Sequence, residues 1–181
     1  MQRARSTVIV LVGDDDRVVA RLREAPNVAV IQVDPDRPGL DRAVESWRAA
    51  QASAAPFVVS DVDPLARVAE SWVRYFDEQA PVGELEVAVA DTLARWRTGS
   101  IELPDYYVVI DPETWAPTRR HWFLGFLADA ARVRVVPAAG DAMATIAGLP
   151  TGPWWPELDR LLDGIERAVP DRTRLSDRGK L

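Results

Sequence analysis

Carboxylates follow four of the five most apolar runs in this chain. Thr7–Val12 leads into Gly13-Asp14-Asp15-Asp16, and Asn27–Val33 into Asp34-Pro35-Asp36. Pro56–Ser60 leads into Asp61-Val62-Asp63-Pro64, and Asp105–Ile110 into Asp111-Pro112-Glu113. Gathered at one edge, such acids could hold a hard cation such as Mg2+, which takes one or two carboxylates with waters and substrate phosphate. Asp14, Asp16 and Asp61 are the metal candidates. A competing account is structural: an aspartate at a helix start accepts unpaired backbone N–H groups, and proline suits the next position. Asp63-Pro64 fits that grammar well, and Asp34-Pro35 and Asp111-Pro112 resemble it. A cap needs only one carboxylate, and three consecutive like charges repel. Asp14, Asp15, Asp16 and Asp61 therefore exceed what capping explains.

A cationic cluster, Thr118-Arg119-Arg120-His121, stands just after Pro117. With Pro117 as the first helical residue, these charges oppose the helix dipole, whose amino end favours anions. An unfavourable local choice implies a reason elsewhere. One reason is an anionic ligand gripped by Arg119, Arg120 and His121. The other, which the surrounding acid favours, is pairing with Asp111, Glu113 or a neighbouring loop's aspartates. His121 is read chiefly as structural, although its ordinary pKa suits proton transfer near neutrality.

Tryptophan supplies the third signal, with 7 in the chain. Trp47, Trp72, Trp96 and Trp122 fall in step with helical apolar faces and are read as core. Trp115 lies beside the acidic and basic groups and is a candidate pocket wall. Trp154 and Trp155 sit in the stiff loop Leu149-Pro-Thr-Gly-Pro-Trp-Trp-Pro156. Adjacent rings point different ways, so one plugs the core while the other could stack a ligand or anchor a partner.

Several chemistries are excluded by composition. The chain has 181 residues and no cysteine, so disulfides, thiolate metal sites and cysteine nucleophiles are ruled out. A single histidine rules out any site needing two. The formal charge of -6 and pI of about 4.9 disfavour nucleic acid, whose binding rests on neutralising phosphate. Arginine greatly outnumbers lysine, whose only occurrence is Lys180, as expected of GC-rich bacterial codon usage. No G-x-G-x-x-G follows the first run, and neither G-x-x-x-x-G-K-[ST] nor G-x-S-x-G occurs. No apolar stretch approaches the ~20 residues needed to span a bilayer, so no membrane partner is expected. No secretory signal is visible at the N-terminus, and a cytoplasmic location is the expectation.

The elements that must position these groups follow from periodicity. The five runs, with Arg132–Val136 as the fifth, read as strands. The first, third and fourth lack polar alternation, the pattern of strands covered on both faces. Apolar residues at helical spacing lie between them, with an extra helix over 83–98 and a last helix over Leu158–Val169. This alternation predicts a three-layer, doubly wound, mainly parallel five-stranded α/β sheet, Rossmann-like or flavodoxin-like, in one domain over 1–170. Residues 171–181 read as a mobile polar tail.

The acids after the first strand, together with Asp61 after the third, are similar in layout to response-regulator receiver domains. The expected lysine after the fifth strand is absent, Pro137-Ala-Ala-Gly140 standing there, and Asp111 replaces the expected hydroxyl residue. Asp14 and Asp16 form the Asp-x-Asp of haloacid-dehalogenase-type phosphatases without that family's threonine and lysine. The chain is assigned to neither family. Two functions fit the residues. The preferred one is a non-catalytic small-molecule- or protein-binding domain, with a small anionic ligand and a homodimer through its tryptophan-rich helices as partners. The alternative is a Mg2+-dependent enzyme acting on a phosphorylated small molecule or nucleotide.

Overall fold

The computed structural model describes residues 4–13, 16–138 and 141–171. Its five strands are β1 (Thr7–Val12), β2 (Val28–Ile31), β3 (Phe57–Ser60), β4 (Tyr106–Ile110) and β5 (Val135–Ala138). All pairings are parallel, in the order β2-β3-β1-β4-β5. The three runs without polar alternation are thus the three interior strands. Pro137, which cannot donate to a ladder, falls on the edge strand β5, where a missing donor is tolerated.

Side chains alternate between the faces, and the helices divide accordingly. One face packs Ile9, Leu11, Val108 and Ile110 against α1 (Asp16–Glu24) and α7 (Ala142–Ala147). The opposite face packs Val10, Val12, Tyr107 and Val109 against α3 (Ala66–Phe76), α4 (Val82–Arg97), and the helical stretch that follows β4. On that side α2 (Gly39–Ala52) covers Val8 and Val58 with Trp47. The result is a three-layer α/β fold with Rossmann- or flavodoxin-like layering. Its order is that of 3-2-1-4-5 with β2 and β3 exchanged.

The stretch after β4 is continuous but irregular. α5 (Pro117–His121) passes into a π-helical turn, Trp122–Leu127, and then into α6 (Ala128–Ala130). Gly125 permits this turn, because a Cβ there would run into the His121 ring.

Two elements depart from the sequence pattern. α7 is not announced by apolar spacing; Asp141 starts it, accepting from the Met143 and Ala144 amides at 3.0 and 3.3 Å. The last helix is shorter than expected: α8 (Leu158–Leu162) stops before Gly164, which at φ 65° turns the chain into a 3-10 segment, Ile165–Arg167. The apolar positions still bury Leu158, Leu161, Leu162 and Ile165. Nearly all of the tail lies outside the described residues. Among those described, no helix is long and apolar enough to cross a membrane.

Candidate functional site

In open parallel sheets, ligands bind beyond the strands' carboxyl ends, where neighbouring strands send their connections to opposite faces. Here that point lies between β1 and β3: β1 continues into α1 on one face, and β3 into α3 on the other. A cleft of about 1240 Å³ opens there. Its floor includes Gly13, Asp61 and Asp63, and its walls include Asp16 and Arg23 of α1, Arg42 of α2, and Glu70 and Arg74 of α3. Trp115, Arg119, Trp122 and Phe123 close the side nearest β4. Gly13 is required at its position. Its φ is +120°, and a Cβ would stand 3.0 Å from the carbonyl oxygen of Ile110.

Asp63 is the most perturbed group of the cleft. Its Oδ1 accepts from the Leu65 amide at 2.8 Å and from the Tyr107 hydroxyl at 2.8 Å. The first bond is the cap the Asp-Pro pair implies, and the second is not legible locally. The Cα register explains it, because Val10 of β1 pairs with Ser60 on one side and Tyr107 on the other. The Tyr107 side chain therefore passes beneath β1 to reach the exit of β3. Burial raises Asp63 to a pKa of about 6, against the opposing pull of both hydrogen bonds and of the Arg119 charge. Burial and the neighbouring carboxylate also push the Tyr107 hydroxyl well above its ordinary value. Neither bond engages Oδ2 of Asp63.

Arg119 is held differently from the expectation of acid pairing. Its guanidinium carbon lies 5.0 Å from the centroid of the Trp115 ring, a cation–π arrangement. Trp115 is itself braced edge-on by Phe123, with centroids 5.6 Å apart. Among the described residues, no carboxylate forms an ion pair with Arg119 or Arg120, so pairing with Asp111 or Glu113 is not what fixes them. Asp111 is exposed, sits at φ 43°, and makes no side-chain cap.

The remaining candidates are dispersed. Arg120 and His121 do not line the cleft. The His121 ring stacks on Trp72 at 6.2 Å and 11°, its Nδ1 buried without a hydrogen-bond partner. Burial lowers its pKa, while the charges of Asp171 and Asp129 oppose that shift. Of the metal candidates, Asp14 lies outside the described residues, as does Asp15; Asp16 and Asp61 both line the cleft. Asp61 is 3.8 Å from Arg42 with its side chain 64% exposed, so solvent screens the pair. Among the described residues, no three potential metal ligands come together.

Trp154 and Trp155 stand at the opposite, amino edge of the sheet rather than in the cleft. Trp155 is buried and donates Nε1–H to the Pro104 carbonyl at 2.7 Å. Trp154 lies against the guanidinium of Arg134, with Tyr106 as that group's second aromatic neighbour, at 4.9 and 5.0 Å. Arg134 in turn donates to the carbonyls of Pro153 and Gly152 at 2.8 and 2.7 Å, latching the loop down. Trp47, Trp72 and Trp122 are turned into the core, and among the described residues the exposed large apolar side chains are Val87 and Val169.

Local sequence reading missed Asp63 as more than a cap, and with it Tyr107 and Arg42. The available signal was a phenol within an otherwise apolar strand, since a buried hydroxyl requires a partner. No protein-family model, curated protein or solved structure matches this chain.

Proposed function

We propose that this protein is a small-molecule-binding α/β domain whose anionic ligand occupies the cleft between the exits of β1 and β3. The observation that carries this reading is Arg119, held over Trp115 in the wall of that cleft with no carboxylate ion-paired to it among the described residues. A guanidinium positioned by a ring and not neutralised by an acid is available to an oxyanion. The cleft is larger than a single phosphate needs and is lined by both apolar and charged groups, as ligand sites are.

The test is thermal unfolding against inorganic phosphate, pyrophosphate, nucleotides and sugar phosphates. A ligand at 100 times its Kd adds about 2.7 kcal/mol, roughly a 5–10 °C rise in Tm for a chain of this size. Arg119→Ala should abolish that rise. A panel without any shift, or a shift that survives Arg119→Ala, defeats the proposal.

A second reading is a Mg2+-dependent enzyme acting on a phosphorylated compound. The observation favouring it is that Asp16 and Asp61 line the same cleft as Arg119. It requires Mg2+ to raise Tm or ligand affinity, and Asp16→Ala to cancel that effect.

A further inference from the structure

Arg42 of α2 has the least exposed arginine side chain among the described ion pairs, at 27% against 42% or more for the others. It is also poorly served. Arg67, Arg74 and Arg95 meet their carboxylates at 2.6, 2.8 and 3.1 Å, whereas Nη2 of Arg42 stands 3.8 Å from Oδ2 of Asp61, beyond hydrogen-bond reach. Its Nε is buried without any hydrogen-bond partner. A buried donor left unmet is costly, and more so on a charged group. Arg42 lines the same cleft as Arg119.

We infer that Arg42 and Arg119 are two anion sites of one cleft, so that its ligand carries two separated oxyanion groups, one for each arginine, as diphosphates and bisphosphonates do. This rests on the cleft being the ligand site proposed above, and names the class of compound that fills it.

The fold holds the two guanidinium groups apart. α3 touches both α2 and α5, on the same face of the sheet. Arg42 stands beside Asp61, at the exit of β3. Arg119 lies over Trp115, whose ring packs at the exit of β1, its Cζ2 3.4 Å from the position a Cβ on Gly13 would take. Neighbouring strands are about 4.8 Å apart, which puts the two sites at a separation of roughly 5–10 Å, more than a single tetrahedral oxyanion covers. One small anion therefore satisfies one arginine and leaves the other unmet.

Asp61 does not meet the need of Arg42. Its side chain is 64% exposed, so their contact is screened and gives way to a ligand at little cost. Asp16 and Glu70, acids on the same walls, are also exposed, and solvent weakens their repulsion of an anion in the same way. A ligand oxygen offers Arg42 the short, charge-assisted hydrogen bonds that Asp61 does not make.

The test is calorimetric titration of the full chain, in EDTA at pH 7.5, with methylphosphonate and with α,ω-alkylene bisphosphonates of one to four methylenes. The bisphosphonates share their headgroups and differ in separation, so a preferred length reports geometry rather than charge. The expected result is one length that binds at least ~10-fold tighter than methylphosphonate. Arg42→Gln should bring that compound to within about threefold of methylphosphonate, whose own affinity should hold within about threefold because Arg119 still binds it. A series that gains nothing over methylphosphonate, or does not depend on length, overturns the inference and leaves the cleft reading standing. So does a gain that survives Arg42→Gln. The wild-type length series decides the matter by itself should that variant fail to fold. Binding of none of these probes also overturns the inference, and only a flat thermal panel removes the cleft reading with it.

Discussion

The hydroxyl of Tyr107 on β4 donates to Oδ1 of Asp63 beyond β3, at 2.8 Å, with β1 lying between the two strands. This bond joins the hydrophobic core directly to the floor of the cleft. It also places a titrating carboxyl where solvation is poor, so its protonation should register in the stability of the whole chain.

Asp63 has a folded-state pKa of about 6, above its unfolded value of 3.8. The folded chain then holds the proton more tightly, and the resulting stabilisation is complete below pH 3.8 and lost as pH rises through 6. Asp63→Asn removes the charge and keeps both acceptor contacts. Urea unfolding should find it more stable than wild type by about 1–3 kcal/mol at pH 8. The advantage should shrink towards pH 4, and a pH-independent difference would contradict the assignment.

His121 should act in the opposite sense. Its pKa is lowered by burial, so the neutral ring is favoured on folding. Stability tied to it is present above its unfolded value of about 6.5 and lost as pH falls through the lower folded value. His121→Asn removes the titration. Between pH 7.5 and 5 this variant should gain stability relative to wild type as pH falls, since the opposing contribution of Asp63 is common to both chains, and a pH-independent difference would assign the effect elsewhere.

Gly125 and His121 should be energetically coupled. A Cβ on residue 125 meets the imidazole at its Nδ1 and Nε2 atoms, 2.5 and 2.7 Å away. Gly125→Ala is expected to destabilise by about 1–3 kcal/mol, the usual cost of overpacking. The double variant Gly125→Ala, His121→Ala should recover at least ~1 kcal/mol relative to additivity in a double-mutant cycle. Additive behaviour would mean that the π-turn has relaxed some other way.

Arg134 provides a control for the location of the site. It serves three carbonyls, of Asp105, Gly152 and Pro153, through separate nitrogens and lies against two rings, a task for a planar fork rather than a single ammonium. Arg134→Lys should cost about 1–3 kcal/mol, because one ammonium cannot replace the separate donors that hold the loop. Any anion binding in the cleft should be unchanged by it. A change in ligand affinity without loss of stability would place ligand contacts at the amino edge after all.

The architecture was legible because burial writes itself into strand composition. TVIVLV, FVVS and YYVVI carry no alternation, and those strands have neighbours on both sides and helices on both faces. Strand order was not legible, since exchanging β2 and β3 leaves every local pattern intact. Within the site, Trp115 and Arg119 were marked by their neighbourhood, and the cleft holds both. Asp63 looked like an ordinary cap because half of its role is a cap. Its second partner is far away in sequence, and only the parallel register brings Tyr107 to it. Trp154 and Trp155 were ambiguous for a similar reason: the carbonyl and guanidinium that hold them belong to segments around β4 and β5.

The position of β3 between β1 and β2 carries a consequence for how the molecule is made. Among the described residues, β2 hydrogen-bonds to no strand except β3, which comes later in the chain. During synthesis, the amino-terminal segment through α2 therefore has no place to dock until Phe57–Ser60 has emerged and slotted in beside β1. A nascent chain halted before that point would be left with a first strand flanked by nothing and a second awaiting its only neighbour, the condition in which exposed strand edges recruit other chains.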